Sequence, residues 1–375
     1  MARPRIGYID QFRGLATIFM IETHVVNALL LGGLREGLTF RVLDFLNGMV
    51  APSFLFVAGF SFTLAVNRKG DAYRKFSPEL ARHLKRLLFI MAVGYMIHVP
   101  YFSLFKTVHG STPQNVTAFF AVDILQCIAV TLMLLHILRV LIKSDRAFNI
   151  VIWGLFWFFV VAAPIAGLSD FSKVLPQFLG QYINRVNGSL FPLFPWASFL
   201  IAGAIASQKI TFEKESRFAD RLVLTGGALI VVGYLLYFIN RAYFPQPDLF
   251  NYAPGWFILR LGFLLWILKG IIWYESKRKM EWSAVKTFGR ESFLVYVAHV
   301  LLVYGSSAKN VSLVDAIGPA LNYLQCFWIF AGLTAVMFVA AYVWSTLKKR
   351  DYNMSRLVQY AFISGILWMF IRNPY

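Results

Sequence analysis

Apolar residues gather along this chain in eleven runs, separated by shorter stretches rich in polar and charged residues. The runs fall at 7–31, 45–66, 86–105, 118–138, 147–168, 189–207, 222–240, 255–275, 284–306, 318–347 and 357–371. About 20 apolar residues in a helix cross the hydrocarbon layer of a bilayer. The pattern predicts an all-α, polytopic transmembrane helix bundle of about eleven spans. The run 318–347 exceeds that need, so it predicts a tilted helix or one that sheds a turn. Nothing marks a second, soluble domain, and 1–375 reads as a single integral-membrane domain. The first run is too long for a cleavable signal peptide and holds internal charges.

Composition agrees: 58% of the 375 residues are hydrophobic and 14% are charged. The net charge of +18 changes the picture only through its placement. The segments that share a side with the amino terminus carry 25 Lys or Arg, and the opposite loops and carboxy-terminal tail carry eight. Positive charge stays on the cytoplasmic side, which predicts a cytoplasmic amino terminus and an external carboxy terminus. The same placement explains the basic balance as topology and contact with membrane lipid, and excludes nucleic acid as a partner. Cys127 and Cys326 lie in apolar runs and read as core residues rather than a disulfide or metal pair.

The first run is long enough to cross a bilayer, yet it carries ionisable residues. It contains Asp10, Arg13, Glu22 and His24. Ionisable groups at membrane depth are costly and face a protein interior or a wet cavity. Eleven residues at about 100° each bring His24 to within roughly 20° of Arg13, roughly 16 Å further along the helix. Asp10 lies on the same side. Glu22 points away and requires a different partner. Under the predicted topology Asp10 and Arg13 sit near the cytoplasmic face and His24 in the outer half. His299 occupies a comparable depth in the ninth run, above Arg290 and Glu291.

Other polar groups sit at marked positions. Asp123 and Gln126 fall in the outer half of the fourth run. Arg260 lies about two turns below the outer surface in the eighth. Pro192 and Pro195 suit the first turn of the sixth helix. Trp196 follows at interface level, as a lipid-interface anchor or a substrate platform. Pro52 and Gly59 mark a possible bend or close approach in the second run. His83 reads as solvated in a basic loop, and His98, His109 and His136 as interfacial.

These residue types suit one kind of chemistry. An imidazole titrates near neutrality and can take a proton from a hydroxyl or amine as it attacks an acyl carbon. A guanidinium holds phosphate in bidentate fashion. A phosphate-rich donor entering from the cytoplasm fits both, and acyl-CoA is such a donor. Its pantetheine arm, on the order of 15–20 Å long, matches the Arg13–His24 interval drawn from helix rise. No glycine-rich phosphate loop, metal-spaced His/Cys cluster or Gly-x-Ser-x-Gly occurs.

The segment Asp10-Gln11-Phe12-Arg13-Gly14-Leu15-Ala16, followed by His24, resembles the opening of the transmembrane acyltransferases. Arginine, ten residues, then histidine is similar to the acyltransferase 3 family and its glucan succinyltransferase relatives. VDILQC, FPLFPWASFLIAGAIAS and FGRESFLVYVAH resemble the heparan-α-glucosaminide N-acetyltransferase-like bacterial membrane proteins. That resemblance spans most of the chain. It implies transfer of an acyl group, such as acetyl, from cytoplasmic acyl-CoA to a glycan or glycolipid at the outer face of a bacterial cytoplasmic membrane. It places the catalytic histidine at His24, with Asp10 and Arg13 as the charged pair below it. Arg290, His299, Asp123, Gln126, Arg260 and Trp196 are the expected substrate-binding residues. No tightly bound cofactor or metal is implied, and a homo-oligomer stays open. The lysosomal branch has asparagine at the position of His24 and its histidine in the following loop. Here 32–46 holds no histidine, so that branch's substrate does not carry over. Two other classes use buried Asp, Arg and His: a secondary transporter or flippase with a proton relay, and an inactive scaffold.

Overall fold

The computed structural model describes residues 6–212, 215–243, 252–278, 283–305 and 312–373. Arg3 and Arg5 of the basic amino terminus and Lys279 of the basic loop 276–290 lie outside the described residues. Helix occurs in every apolar run. The longer helices and one short one are α1 (Gly7–Leu29), α2 (Leu38–Asn47), α3 (Val50–Lys69), α4 (Pro78–Ile97), α5 (Ile124–Leu141), α6 (Asp145–Val161), α7 (Leu193–Phe212), α8 (Glu215–Tyr243), α9 (Pro254–Arg278), α10 (Ala284–Arg290), α11 (Ser292–Tyr304), α12 (Tyr323–Arg350) and α13 (Tyr352–Arg372).

Six stretches are long and apolar enough to cross a membrane: Leu38–Lys69, Ile124–Leu141, Arg217–Ile239, Pro254–Arg278, Tyr323–Arg350 and Tyr352–Arg372. The apolar window of the last is only 11% buried and that of Arg217–Ile239 only 17%. Apolar faces left so open need lipid as their solvent, and the chain is a multi-pass, all-α membrane protein.

Local chemistry shifts several boundaries away from the hydropathy pattern. Ser77 accepts from the Leu80 N–H and Pro78 occupies the first turn, so α4 begins within the basic loop rather than at 86. Asp123 is the N-cap of α5 and accepts from the Ile124 N–H at 2.7 Å, so it stands at the helix end rather than within it. The ninth run is two helices, broken at Glu291. In α7 Phe194 is non-helical and precedes a cis Phe194–Pro195 bond, while Pro192 lies before the helix. Helix α3 runs on through Pro52 and Gly59.

The contacts divide the chain into two compact units. One comprises Ala51–His98 and Thr117–Lys277. Within it α3 and α7 meet backbone to backbone. A Cβ at Gly59 would lie 1.7 Å from the Leu200 carbonyl oxygen, and one at Gly203 would lie 1.9 Å from that of Phe56. Thr63 Oγ1 donates to the Ala204 carbonyl across the same contact at 2.9 Å. Gly59 therefore serves helix packing. Buried Arg139 and half-buried Arg74 both pair with Asp145. His136 corrects its interfacial expectation: it is buried among the rings of Phe62, Tyr73 and His83. His83 lies on α4, half-buried against His136, rather than in a solvated loop.

The other unit comprises Ile6–Val50, Val99–Val116 and Arg278–Tyr375. Its core joins Ile21, Val25 and Leu29 to Val295, Val303, Leu333 and Met337. Helix α1 ends where Leu31 N–H donates to Leu321 O and Leu321 N–H to Leu29 O, each at 2.9 Å. Arg35 covers further end carbonyls, donating to Asn27 O at 2.8 Å and Leu30 O at 3.2 Å. The separate partner that Glu22 requires is Asn47. The Asn47 amide nitrogen, in the orientation its neighbours demand, donates to Glu22 Oε2 at 2.6 Å and to Leu43 O at 3.3 Å. An Asn47→Leu substitution strips that donor from a half-buried carboxyl. It is expected to destabilise the protein by about 1–3 kcal/mol, read as a lower unfolding temperature in detergent.

Candidate functional site

Helix α1 and short α10 approach as closely as two backbones allow. A Cβ at Gly14 would lie 1.8 Å from the Val285 carbonyl oxygen, and one at Gly289 would lie 1.9 Å from that of Asp10. This contact seats Arg290, the residue after Gly289, beside Asp10. Arg290 Nε lies 3.3 Å from Asp10 Oδ2, and Asp10 is only 3% exposed. A buried carboxylate needs such a counter-ion, because desolvation of an unpaired charge is costly. Arg13 stands half-buried one turn further along α1. The next residue after Arg290 reaches another helix: Glu291 is buried and accepts from Lys348 of α12 at 2.6 Å. The break between α10 and α11 is thus clipped on two sides.

Two turns into α11, His299 meets His24. Its Nε2 lies 2.9 Å from His24 Nδ1, and the rings stack with centroids 4.9 Å apart. His299 is fully buried, whereas His24 is half-exposed. His299 Nδ1 lies 2.6 Å from the Val295 carbonyl oxygen, which can only accept. With both rings neutral, the hydrogen positions follow. His299 carries its proton on Nδ1 and donates it to Val295. Its Nε2 therefore accepts from His24 Nδ1–H. That leaves Nε2 as the basic nitrogen of His24. Tyr304 adds an edge contact to the His24 ring at 5.5 Å and donates to the His24 carbonyl at 3.4 Å.

The remaining expected site residues belong to the other unit. Asp123 Oδ2 lies 3.6 Å from His98 Nε2. Gln126 is fully buried against Gly94, and neither its amide oxygen nor its nitrogen has a hydrogen-bond partner among the described residues. Trp196 is 7% exposed and packs on Phe191 and Trp256, so it is not an exposed interfacial anchor. The guanidinium of Arg260 stacks over the Trp256 ring at 4.1 Å. Trp256 thus links the two residues that the sequence singled out separately.

The sequence places Asp10, Arg13 and His24 on one helix face and counts Arg290 and His299 among the expected substrate-binding residues. It does not show that the two histidines touch, that Lys348 pairs with Glu291, or that Asn47 serves Glu22. The matching glycines at 14 and 289, each next to an arginine, are the one signal in the sequence for the α1–α10 contact.

Residues 5–239 fit the family model described as heparan-alpha-glucosaminide N-acetyltransferase, catalytic. The matched stretch includes Asp10, Arg13, His24, Asp123, Gln126 and Trp196, and ends before Arg260, Arg290 and His299. No curated protein matches the chain.

Proposed function

The chain belongs to the heparan-alpha-glucosaminide N-acetyltransferase catalytic family, and from that premise we propose that it moves an acyl group from cytoplasmic acyl-CoA to a sugar or other hydroxyl or amine acceptor at the outer face. The family assigns it a membrane N-acetyltransferase type of function. The observation that carries the finer reading is the hydrogen bond between His24 and His299, because it leaves His24 Nε2 basic.

In the proposed step, His24 Nε2 takes the proton from the acceptor O–H or N–H while that atom attacks the thioester carbonyl. The carbon–sulfur bond then breaks, and the imidazolium returns the proton to the departing thiolate of CoA. His299 acts as a positioning residue: it fixes the His24 tautomer and shares the charge that develops on the ring. The Asp10–Arg290 pair and Arg13 organise the CoA end, where guanidinium groups match phosphate oxygens. Asp123, Gln126, Arg260 and Trp196 are assigned to substrate contact. Acetyl is the first acyl group to test, a glycan or glycolipid the first acceptor, and the bacterial cytoplasmic membrane the proposed location.

The purified protein in lipid nanodiscs is expected to release CoA thiol from acetyl-CoA when a panel of amino sugars, glycans and glycolipids is supplied. Folded protein that releases none across the panel, yet drives proton-coupled solute uptake in liposomes, would replace the enzyme with a transporter. A His299→Phe variant keeps a ring in place but removes the acceptor for His24 Nδ1–H. Its kcat is expected to fall about tenfold to a hundredfold, and the pH midpoint of its rate profile to move. A fall in kcat with an unmoved profile would reduce His299 to packing.

A further inference from the structure

The basic turn between α3 and α4 borders an open cavity of about 300 Å³, lined by Lys69, Tyr73, Glu79, Arg82, His83 and Arg86. Its three cations come from two helices. Lys69 ends α3, and Arg82 and Arg86 lie one turn apart on α4. Gly70, with φ of 51°, turns the chain between them, and Ser77 caps the start of α4. The wall is aromatic: Tyr73 is buried, and its ring lies 5.5 Å from that of His83. Burial, and then the neighbouring Arg86, hold His83 below its ordinary pKa, so its ring enters the cavity neutral.

The charges do not cancel. Glu79 pairs with Arg82 at 3.1 Å. Among the described residues, no carboxylate lies within ion-pairing distance of Lys69 or Arg86. Positive charge in a cytoplasmic loop is ordinary. A basic loop for topology alone only needs its charges in water, spread out. Here two unpaired cations and a neutral imidazole converge on one concave space with a rigid aromatic side.

We propose that this cavity binds a phosphoester, with Lys69 and Arg86 as the charged donors and His83 as a neutral one. The chemistry fits two sources. One is a soluble nucleotide phosphate such as the 3′-phosphate of CoA. The other is the headgroup phosphate of an anionic lipid. Only the first source leans on the acyl-transfer reading, and neither test below uses turnover.

The intact chain in phosphatidylcholine nanodiscs is titrated with CoA and with 3′-dephospho-CoA by calorimetry. In parallel, protein extracted from phosphatidylcholine membranes with and without phosphatidylglycerol is weighed by native mass spectrometry for retained lipid. Wild-type protein is expected to prefer CoA over its dephospho form, or to retain phosphatidylglycerol; the arm that responds names the source. The doubly neutralised Lys69→Gln/Arg86→Gln variant is expected to lose that affinity about tenfold or more. The charge-keeping Lys69→Arg/Arg86→Lys variant is expected to restore most of it. The proposal is overturned if wild type discriminates in neither arm, or if the neutralised variant, folded by its melting curve, binds as wild type does.

Discussion

Replacing His24 with alanine is expected to lower acyl-CoA-dependent turnover by about 10²–10⁴-fold, the span set by removing a positioned general base. The loss belongs in kcat, with KM for acyl-CoA nearly unchanged, because the guanidinium groups assigned to CoA remain on α1 and α10. The substitution removes a half-exposed ring rather than a core side chain, so the melting temperature should hold within a few degrees. His24→Gln supplies a hydrogen-bonding group without a titratable nitrogen and should be equally inactive. Turnover that persists in either folded variant would move the base elsewhere, with the His98–Asp123 pair the next place to look.

The second large effect concerns packing. At Gly14 and Gly289 the neighbouring atoms are backbone carbonyls, not flexible side-chain tips. A leucine at 289 has nowhere to go unless α1 and α10 separate, and overpacking of this kind costs about 3 kcal/mol. Gly289→Leu is therefore expected to unfold at markedly lower temperature, and to raise KM for acyl-CoA by parting Arg290 from Asp10. Gly154 and Gly270 provide the control: an added Cβ there meets nothing within 4 Å. Alanine at either helical position should be neutral, or stabilising by about 0.5–1 kcal/mol. Equal losses at all four glycines would show that helix propensity, not close approach, governs the fold.

Much of this architecture could be read from the chain beforehand, for a physical reason. A bilayer imposes one length scale and one polarity, so the runs of apolar residues mark the helices even without a partner for comparison. What escaped depends on single side chains at helix ends. Hydropathy does not register that Ser77 and Pro78 start a helix inside a basic loop, that Asp123 caps a helix instead of lying within it, or that Glu291 breaks the ninth run. The site divides in the same way. Asp10, Arg13 and His24 share a face because of helical periodicity, which is local. The His24–His299 contact joins residues 275 positions apart, and no periodicity carries that information. His136 was misplaced for a related reason: its neighbours Phe62, Tyr73 and His83 come from elsewhere in the sequence.

The hydrogen bond from His299 to Val295 carries a last implication, for how relatives are compared. The group that decides which nitrogen of His24 is basic is a main-chain oxygen, and every amino acid brings one. Position 295 can change identity among apolar residues without disturbing the relay. What the relay cannot survive is a slip in helical phase: one residue inserted between 295 and 299 turns the imidazole away from its anchor. Two homologues could differ at each letter of that turn and still hold the same base, and a third could match nearly every letter and have lost it. Spacing, more than spelling, is the trait to follow through this family.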